Sequence, residues 1–362
     1  MSDVIARPAK PSVWKAFTQP AAWTMFFFGF ASGMPFLLVA GTLAYWLTEN
    51  GLELKNITLI ASAGLSYTLK FLWAPLVDRW RLPLIGRLGQ RRGWLLFALA
   101  VVIVGLLLMA HLTPGRLAPF VWVTLMTAFA GATLDIAVDA YRIEIAPQES
   151  QGALLATYSL GYRIALIITG ALALMLADQV SWPLVYQAMA VVMLVPVVAV
   201  LLSREPDVVR IRMTTWGEGL REGVVEPFVD FFRRFGAALA IALFAFILLA
   251  KISDQSLGGG IMAPFYLSQG FTKTEIGAVS KIWGVWVGLV GVFIAGIAVA
   301  RWGVKWPLLA GIVLGAISNL LYVWLIGADG DVWKLTLVIS GENLAQGFQG
   351  TTLVAFLSAL VN

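Results

Sequence analysis

Ten runs of mostly apolar residues, each long enough to cross a bilayer as a helix, follow one another along this 362-residue chain. Such a crossing takes about 20 residues. The runs lie at about 22–46, 56–77, 93–112, 118–143, 152–176, 182–203, 237–267, 272–300, 306–327 and 333–361. In lipid every backbone N–H and C=O must be bonded within its own segment or a closed barrel, so runs of this length fold as helices. The expected fold is an all-α integral membrane protein of about ten transmembrane helices, six plus four. The first run is too long for the core of a cleaved leader and reads as a retained helix.

Composition narrows the chemistry. Only 12% of residues are charged, against about 25% in soluble domains. There is no cysteine, which excludes a disulfide, a thiolate metal site and a cysteine nucleophile. The one histidine, His111, falls near the outer end of the third run and suits an interfacial position. No acidic cluster occupies a loop outside the membrane. The chain is therefore not expected to be an enzyme, and no catalytic residue, metal or cofactor is assigned. A net charge of +5 in so apolar a chain points to topology rather than to nucleic acid.

Seventeen basic residues fall on one side of the alternating runs. They are Arg7, Lys10, Lys15, Arg79, Arg81, Arg87, Arg91, Arg92, Arg142, Arg204, Arg210, Arg212, Arg221, Arg233, Arg234, Arg301 and Lys305. Only Lys55, Arg116, Lys273 and Lys334 fall on the other. The basic side is cytoplasmic, which places the N-terminus inside. Trp23, Trp46, Trp80 and Trp94 lie at the expected membrane–water levels.

The connection 204–236 divides the chain into an N-terminal six-helix bundle (1–203) and a four-helix set (237–362). Its second part spaces Val224, Val225, Phe228, Phe231 and Phe232 at helical intervals among charges. That pattern fits an amphipathic helix on the membrane surface and equally a solvated linker helix.

Six runs carry charges where lipid would penalise them. In TLDIAVDAYRIEI (133–145), Asp135, Asp139 and Arg142 fall within about 60° of one another on a helix; Glu144 points the other way, at the cytoplasmic end. Asp135 lies roughly 13 Å in from that end, Lys70 roughly 12 Å and Arg163 roughly 16 Å. Equal depth predicts a cluster in which Asp135 meets Lys70 or Arg163, with Tyr67 and Tyr162 beside them. Lys251, Asp254, Lys281 and Glu342 form a second set, nearer the midplane and outer half, so a polar cavity between the two helical sets is expected. Nearer the cytoplasm, Asp78, Arg79, Arg91, Arg92, Arg142 and Glu144 form a candidate gate. Asp139 and Glu144 are alternatively anchors for Arg91 and Arg92. The glycines of GFASGMP (29–35) fit close helix packing or a bend, and SLGGGIMAP (256–264) should break or flex its helix.

The loop APLVDRWRLPLIGRLGQRRGW (74–94) resembles the Asp-Arg…Arg-Arg loop of the major facilitator superfamily, with a weaker echo in ARWGVKWP (300–307). FGFASGMPFLL, LSYTLKFLWAPLVDR, TLDIAVDAYRIEI, LGYRIAL, KISDQSLG, EIGAVSKIWG and ENLAQGFQGT resemble the AmpG-type muropeptide permeases and their relatives, the acetyl-CoA transporters. The resemblance implies a major facilitator-type bundle with Asp135 and Asp139 as the transport-critical acids. Leu134 stands where members often carry glutamine. The superfamily has twelve core spans, and ENLAQGFQGTTLVAFLSAL matches its tenth, so the last two spans are expected to be lacking.

The reading is a proton-coupled, monomeric importer in a bacterial inner membrane. Its cargo would be anionic glycopeptides, the N-acetylglucosaminyl-anhydromuramyl peptides of cell-wall recycling, and its other partners protons and lipid. Acetyl-CoA or another anionic metabolite is the alternative cargo, and a non-transporting truncated homologue the alternative role.

Overall fold

The computed structural model describes residues 18–361 apart from 113, 116, 147–149, 208–216, 218–220, 222–224 and 259; the side chains of 247, 248, 250–258 and 358–361 are also outside the description. The basic N-terminal residues, Arg116, Arg210, Arg212, Val224 and the side chains of Lys251 and Asp254 therefore lie outside the described residues.

Among the described residues every regular element is a helix. The elements are α1 (Pro20–Glu49), an irregular α2 running through Leu54–Ala61, Leu65–Leu69 and Ala74–Arg79, α3 (Gln90–His111), α4 (Leu117–Ile145), α5 (Gln151–Ala177) and α6 (Trp182–Leu202). A short amphipathic α7 (Glu226–Phe235) leads into α8 (Ala237–Gly258) and α9 (Met262–Ser268), followed by α10 (Lys273–Trp302), α11 (Lys305–Trp324) and α12 (Val332–Val361). Among the described residues, seven helices are long and apolar enough by length and composition to cross a membrane. The other three expected spans are α2, the α8–α9 pair and α12, each broken or carrying polar residues.

The breaks have local causes. In α2, Pro75 has no N–H, and its ring crowds the carbonyl four residues back. The backbone there tightens into a single 3-10 turn at Lys70–Leu72 before the helix resumes. Between α8 and α9, Gly260 takes φ +86°, a left-handed conformation open mainly to glycine. This is the break expected from the triple glycine.

GFASGMP serves close packing. A Cβ on Gly29 would lie 2.0 Å from the Tyr158 carbonyl oxygen, and one on Gly161 would lie 1.9 Å from the Phe26 carbonyl oxygen. The backbones of α1 and α5 thus touch through glycine on both sides, as small residues allow in membranes. The later helices use the same device: a Cβ on Gly347 of α12 would meet the Gly288 carbonyl of α10 at 2.1 Å.

Trp46 and Trp94 correct the interfacial expectation. Both are buried among protein side chains. Trp46 stacks on Trp182, and Trp94 donates through Nε1 to the Trp80 carbonyl at 2.7 Å. They sit at the expected levels along their helices but face inward. Trp23 and Trp80 are exposed. In α7, Phe228, Val229 and Phe232 are exposed on one face, and Phe228 also stacks on Phe244 of α8.

α1–α6 pack together, and α10–α12 form a second set. The two sets meet near their outward ends. There Gly277 of α10 lies against Ala171 of α5, and Gly260 lies against Ala44 and Ala61. His111 is exposed, its Nδ1 2.7 Å from the Leu107 carbonyl oxygen of its own helix.

Candidate functional site

The turn that Pro75 imposes on α2 presents Lys70 to α4. Its ammonium contacts the Asp135 carboxylate directly and lies 3.5 Å from Oδ2 of Asp139. Asp135 is the more enclosed acid, and Asp139 is about half open. One lysine therefore spans two carboxylates four residues apart, which a helix places one above the other. Tyr158 of α5 donates through its hydroxyl to Oδ1 of Asp135 at 3.2 Å.

Arg163 does not join this cluster. Its side chain is exposed, and it makes no ion pair among the described residues. The geometry of α5 explains the correction. Tyr158 and Tyr162 are four residues apart on the face toward α4, with ring centroids 6.1 Å apart, and the next residue is rotated by about 100°. Depth matched for Arg163, but azimuth did not. Tyr158 stands in its place, and the signal that could have found it is the tyrosine pair at i and i+4.

Tyr67 lies beside the cluster, its ring edge-on to Phe36. Its buried hydroxyl has no hydrogen-bond partner among the described residues. Gly131 makes room for it, since a Cβ there would come within 2.2 Å of the hydroxyl. Gly131, Asp135 and Asp139 recur every four residues along one stripe of α4. Leu134, by contrast, is fully buried among apolar neighbours. The departure from glutamine therefore lies off the charged stripe.

A second polar region fills a cavity of about 240 Å³ between α1, α9, α10, α11 and α12. Lys281 and Glu342 both line it, together with Tyr45, Tyr266, Tyr322 and Gln346. Tyr322 donates to Oε2 of Glu342 at 2.5 Å, and Gln346 donates to Oε1 at 2.8 Å. The Tyr266 and Tyr322 hydroxyls are 3.2 Å apart. Lys281 contributes the cavity's described cation, opposite this chain of hydroxyl and amide groups.

The cytoplasmic cluster centres on Arg91, whose side chain is only 4% exposed. It donates through Nε and Nη2 to the two oxygens of Glu144 at 3.0 and 2.5 Å, and through Nη1 to Asp78 at 2.9 Å. The Glu205 carboxylate accepts the backbone N–H groups of Arg91 and Arg92 at the start of α3, at 2.9 and 3.0 Å. The Arg92 guanidinium donates to the carbonyls of Val200 and Leu201 at the end of α6. Arg142 donates to Gln151 at 3.1 Å. Every partner described for Arg91 and Arg92 belongs to α1–α6 or the turn after α6. A gate between the two sets needs a partner from the later helices. The arrangement instead ties α2, α3, α4 and α6 to one another, as a brace does, and Asp139 pairs with Lys70 rather than with either arginine.

The brace makes a prediction. Arg91→Met leaves the well-enclosed Glu144 carboxylate without its bidentate partner, and breaking one side of a buried pair costs roughly 3–5 kcal/mol. A loss of about 3 kcal/mol of stability, the lower end of that range because Asp78 stays half open to water, is expected and shows as a lower melting temperature. Arg91→Lys should be intermediate, since an ammonium cannot reproduce the planar fork. Thermal unfolding in detergent micelles checks both.

The bundle can be compared with known proteins. The Major Facilitator Superfamily family model matches residues 25–362. The chain belongs to the major facilitator superfamily. Within it, the Rickettsia conorii protein named AmpG 4 is 34% identical over 358 residues, covering 97% of this chain and 84% of its own. The anhydromuropeptide permease of Escherichia coli K12 is 35% identical over 353 residues, covering 96% of this chain and 69% of its own. Among solved structures, the nucleoside transporter NupG superposes with a TM-score of 0.69 at 14% identity, over 94% of this chain and 84% of that one. An inward-open xylose transporter XylE from E. coli gives 0.60 at 14% identity, over 92% and 81%. These structural likenesses show a shared fold. The protein is thus a multi-pass membrane protein of a transporter superfamily related to the AmpG permeases, and not a member of an enzyme family.

Proposed function

We propose that this major facilitator protein imports anionic muropeptides across the bacterial inner membrane, driven by protons. The observation that carries the proposal is the lysine–diaspartate arrangement of Lys70, Asp135 and Asp139 inside the membrane region. The kinship with the anhydromuropeptide permease supplies the cargo class.

In this reading the six-helix bundle (1–203) and the later set (237–362) rock about a central cavity, as secondary transporters of this architecture do. Asp135 is the proton-carrying acid, and Lys70 is its counter-charge in the unprotonated state. A carboxylate enclosed in a low-dielectric site holds its charge only beside a cation. A motion that draws Lys70 toward Asp139 or toward an anionic cargo therefore drives Asp135 to take a proton. Returning the lysine releases it. Lys281 attracts the cargo carboxylates into the second cavity, where Tyr45, Tyr266, Tyr322 and Gln346 offer hydrogen bonds suited to sugar and peptide groups.

The test is uptake of labelled anhydromuropeptide into membrane vesicles carrying the protein, with and without an imposed proton gradient. Accumulation that collapses when an ionophore dissipates the gradient is the expected result. Gradient-independent uptake would remove the coupling, and no uptake of this cargo beside uptake of acetyl-CoA would remove the substrate assignment.

A further inference from the structure

The outward ends of the two helical sets are joined by a group of charges that the transport reading does not use. Lys273 opens α10, yet it is only 8% exposed. Its Nζ lies 2.6 Å from Oε1 of Glu49, at the end of α1, and 3.6 Å from Oδ1 of Asp178, just past the end of α5. The same ammonium sits 5.4 Å from the ring centre of Trp182, at the start of α6, within the range of a cation–π contact. The Trp182 indole N–H in turn donates to the other Glu49 oxygen at 2.5 Å. One lysine from the later set is thus held by three groups from three helices of the first.

Asp178 makes a second attachment. Its Oδ2 accepts the backbone N–H of Thr274 at 2.7 Å and the Thr274 hydroxyl at 2.5 Å. The first N–H groups of a helix have no partner within it and attract negative charge. Asp178 therefore caps α10 from the opposite set. The start of α10 is itself fixed by a reciprocal bond pair: Thr272 N–H donates to Glu275, and Glu275 N–H donates to the Thr272 hydroxyl. One turn deeper, Gly277 packs closely on Ala171, where a Cβ would be 3.0 Å from the Ala171 carbonyl oxygen. The attachment reaches backbone as well as side chains and is backed by close packing one turn deeper.

We propose that Glu49, Asp178, Trp182, Lys273 and Thr274 form an outer latch, made when the cavity is closed to the outside and broken each time it opens outward. The proposal rests on the rocking of the two sets and on no particular cargo. Its chemistry suits a reversible closure. Closed, Glu49 and Asp178 neutralise the nearly buried Lys273 ammonium while keeping part of their own surface in water. Opened, each returns to water on its own helix end, so separation costs far less than stranding an ion in the protein. A hydrophobic seal of equal area would instead expose apolar surface at every cycle.

The chain contains no cysteine, so a pair of introduced cysteines can be spin-labelled without background. Asn50 and Ser268 are exposed and flank the latch on opposite sets. Double electron–electron resonance between labels there, in lipid nanodiscs without cargo, reads the closed and open populations directly. Lys273→Met is expected to raise the open-to-closed ratio about tenfold, equivalent to about 1.4 kcal/mol, and Lys273→Arg to leave it near the parent value. An unchanged distance distribution in a monodisperse Lys273→Met protein would overturn the latch. If that variant does not fold, Glu49→Gln and Asp178→Asn decide by the same criterion: each must shift the population toward the open state, and an unshifted distribution in either rejects the proposal. The readout needs no transport, so a failure of the cargo or proton assignment leaves it intact.

Discussion

Asp135→Asn is expected to abolish gradient-driven accumulation while leaving exchange of cargo across the membrane. The substitution keeps the shape of the side chain and one of the two oxygens that accept from Lys70 and Tyr158. It removes the charge and, with it, the ability to take and give a proton. The protein should fold, because Lys70 retains Asp139 at 3.5 Å and is not stranded without a counter-ion. What remains is a carrier locked in the equivalent of the protonated form. It equilibrates cargo but cannot concentrate it. Counterflow of labelled against unlabelled cargo, measured beside accumulation under an imposed gradient, separates the two activities. Accumulation at the parent rate with the parent pH dependence would exclude Asp135 as the coupling acid. Asp139→Asn is expected to be milder, because Asp139 is more open to water and sits at the far end of the lysine's reach.

Much of this architecture was legible in the sequence because lipid imposes a one-dimensional rule. Apolar length gives the spans, and basic residues give the side. Depth along a helix follows from counting, which is how Lys70 and Asp135 were matched across two spans 65 residues apart. Counting does not supply azimuth across helices, because each helix has its own rotation about its axis. Arg163 has the right depth and faces elsewhere, while Tyr158, unremarked in the sequence, faces Asp135. The same gap explains Trp46 and Trp94, which occupy interfacial levels but turn into the protein. The cytoplasmic arginines are legible as a group. Whether they join helices within one set or between two depends on tertiary placement, and the described partners are all within one. The outer latch is not legible in the sequence for a different reason. Glu49, Asp178 and Lys273 lie at the ends of runs, where a charge is ordinary, and nothing local signals that Lys273 is nearly buried.

The glycines of α5 give the sharpest structural prediction, because two identical substitutions in one helix should have opposite signs. Gly152 has open space where a Cβ would go, whereas a Cβ on Gly161 would lie 1.9 Å from the Phe26 carbonyl oxygen and 2.9 Å from the Phe30 nitrogen. The obstruction is backbone of α1, so no side-chain rotation relieves it. Gly161→Ala must push α1 and α5 apart, and α1 carries Gly29 and Gly33 against the same helix. Separation along that seam would loosen several close contacts at once and draw Tyr158 away from Asp135. Overpacking a tight site commonly costs about 1–3 kcal/mol, and a backbone-to-backbone clash belongs at or above the upper end. Gly152→Ala should instead stabilise by about 0.5–1 kcal/mol, the ordinary gain from replacing glycine within a helix. Melting temperatures of the two purified variants in the same detergent check the pair. A Gly161→Ala protein as stable as the parent would mean that α1 and α5 do not cross at the distance seen here, and the position of Tyr158 over Asp135 would have to be reconsidered with it.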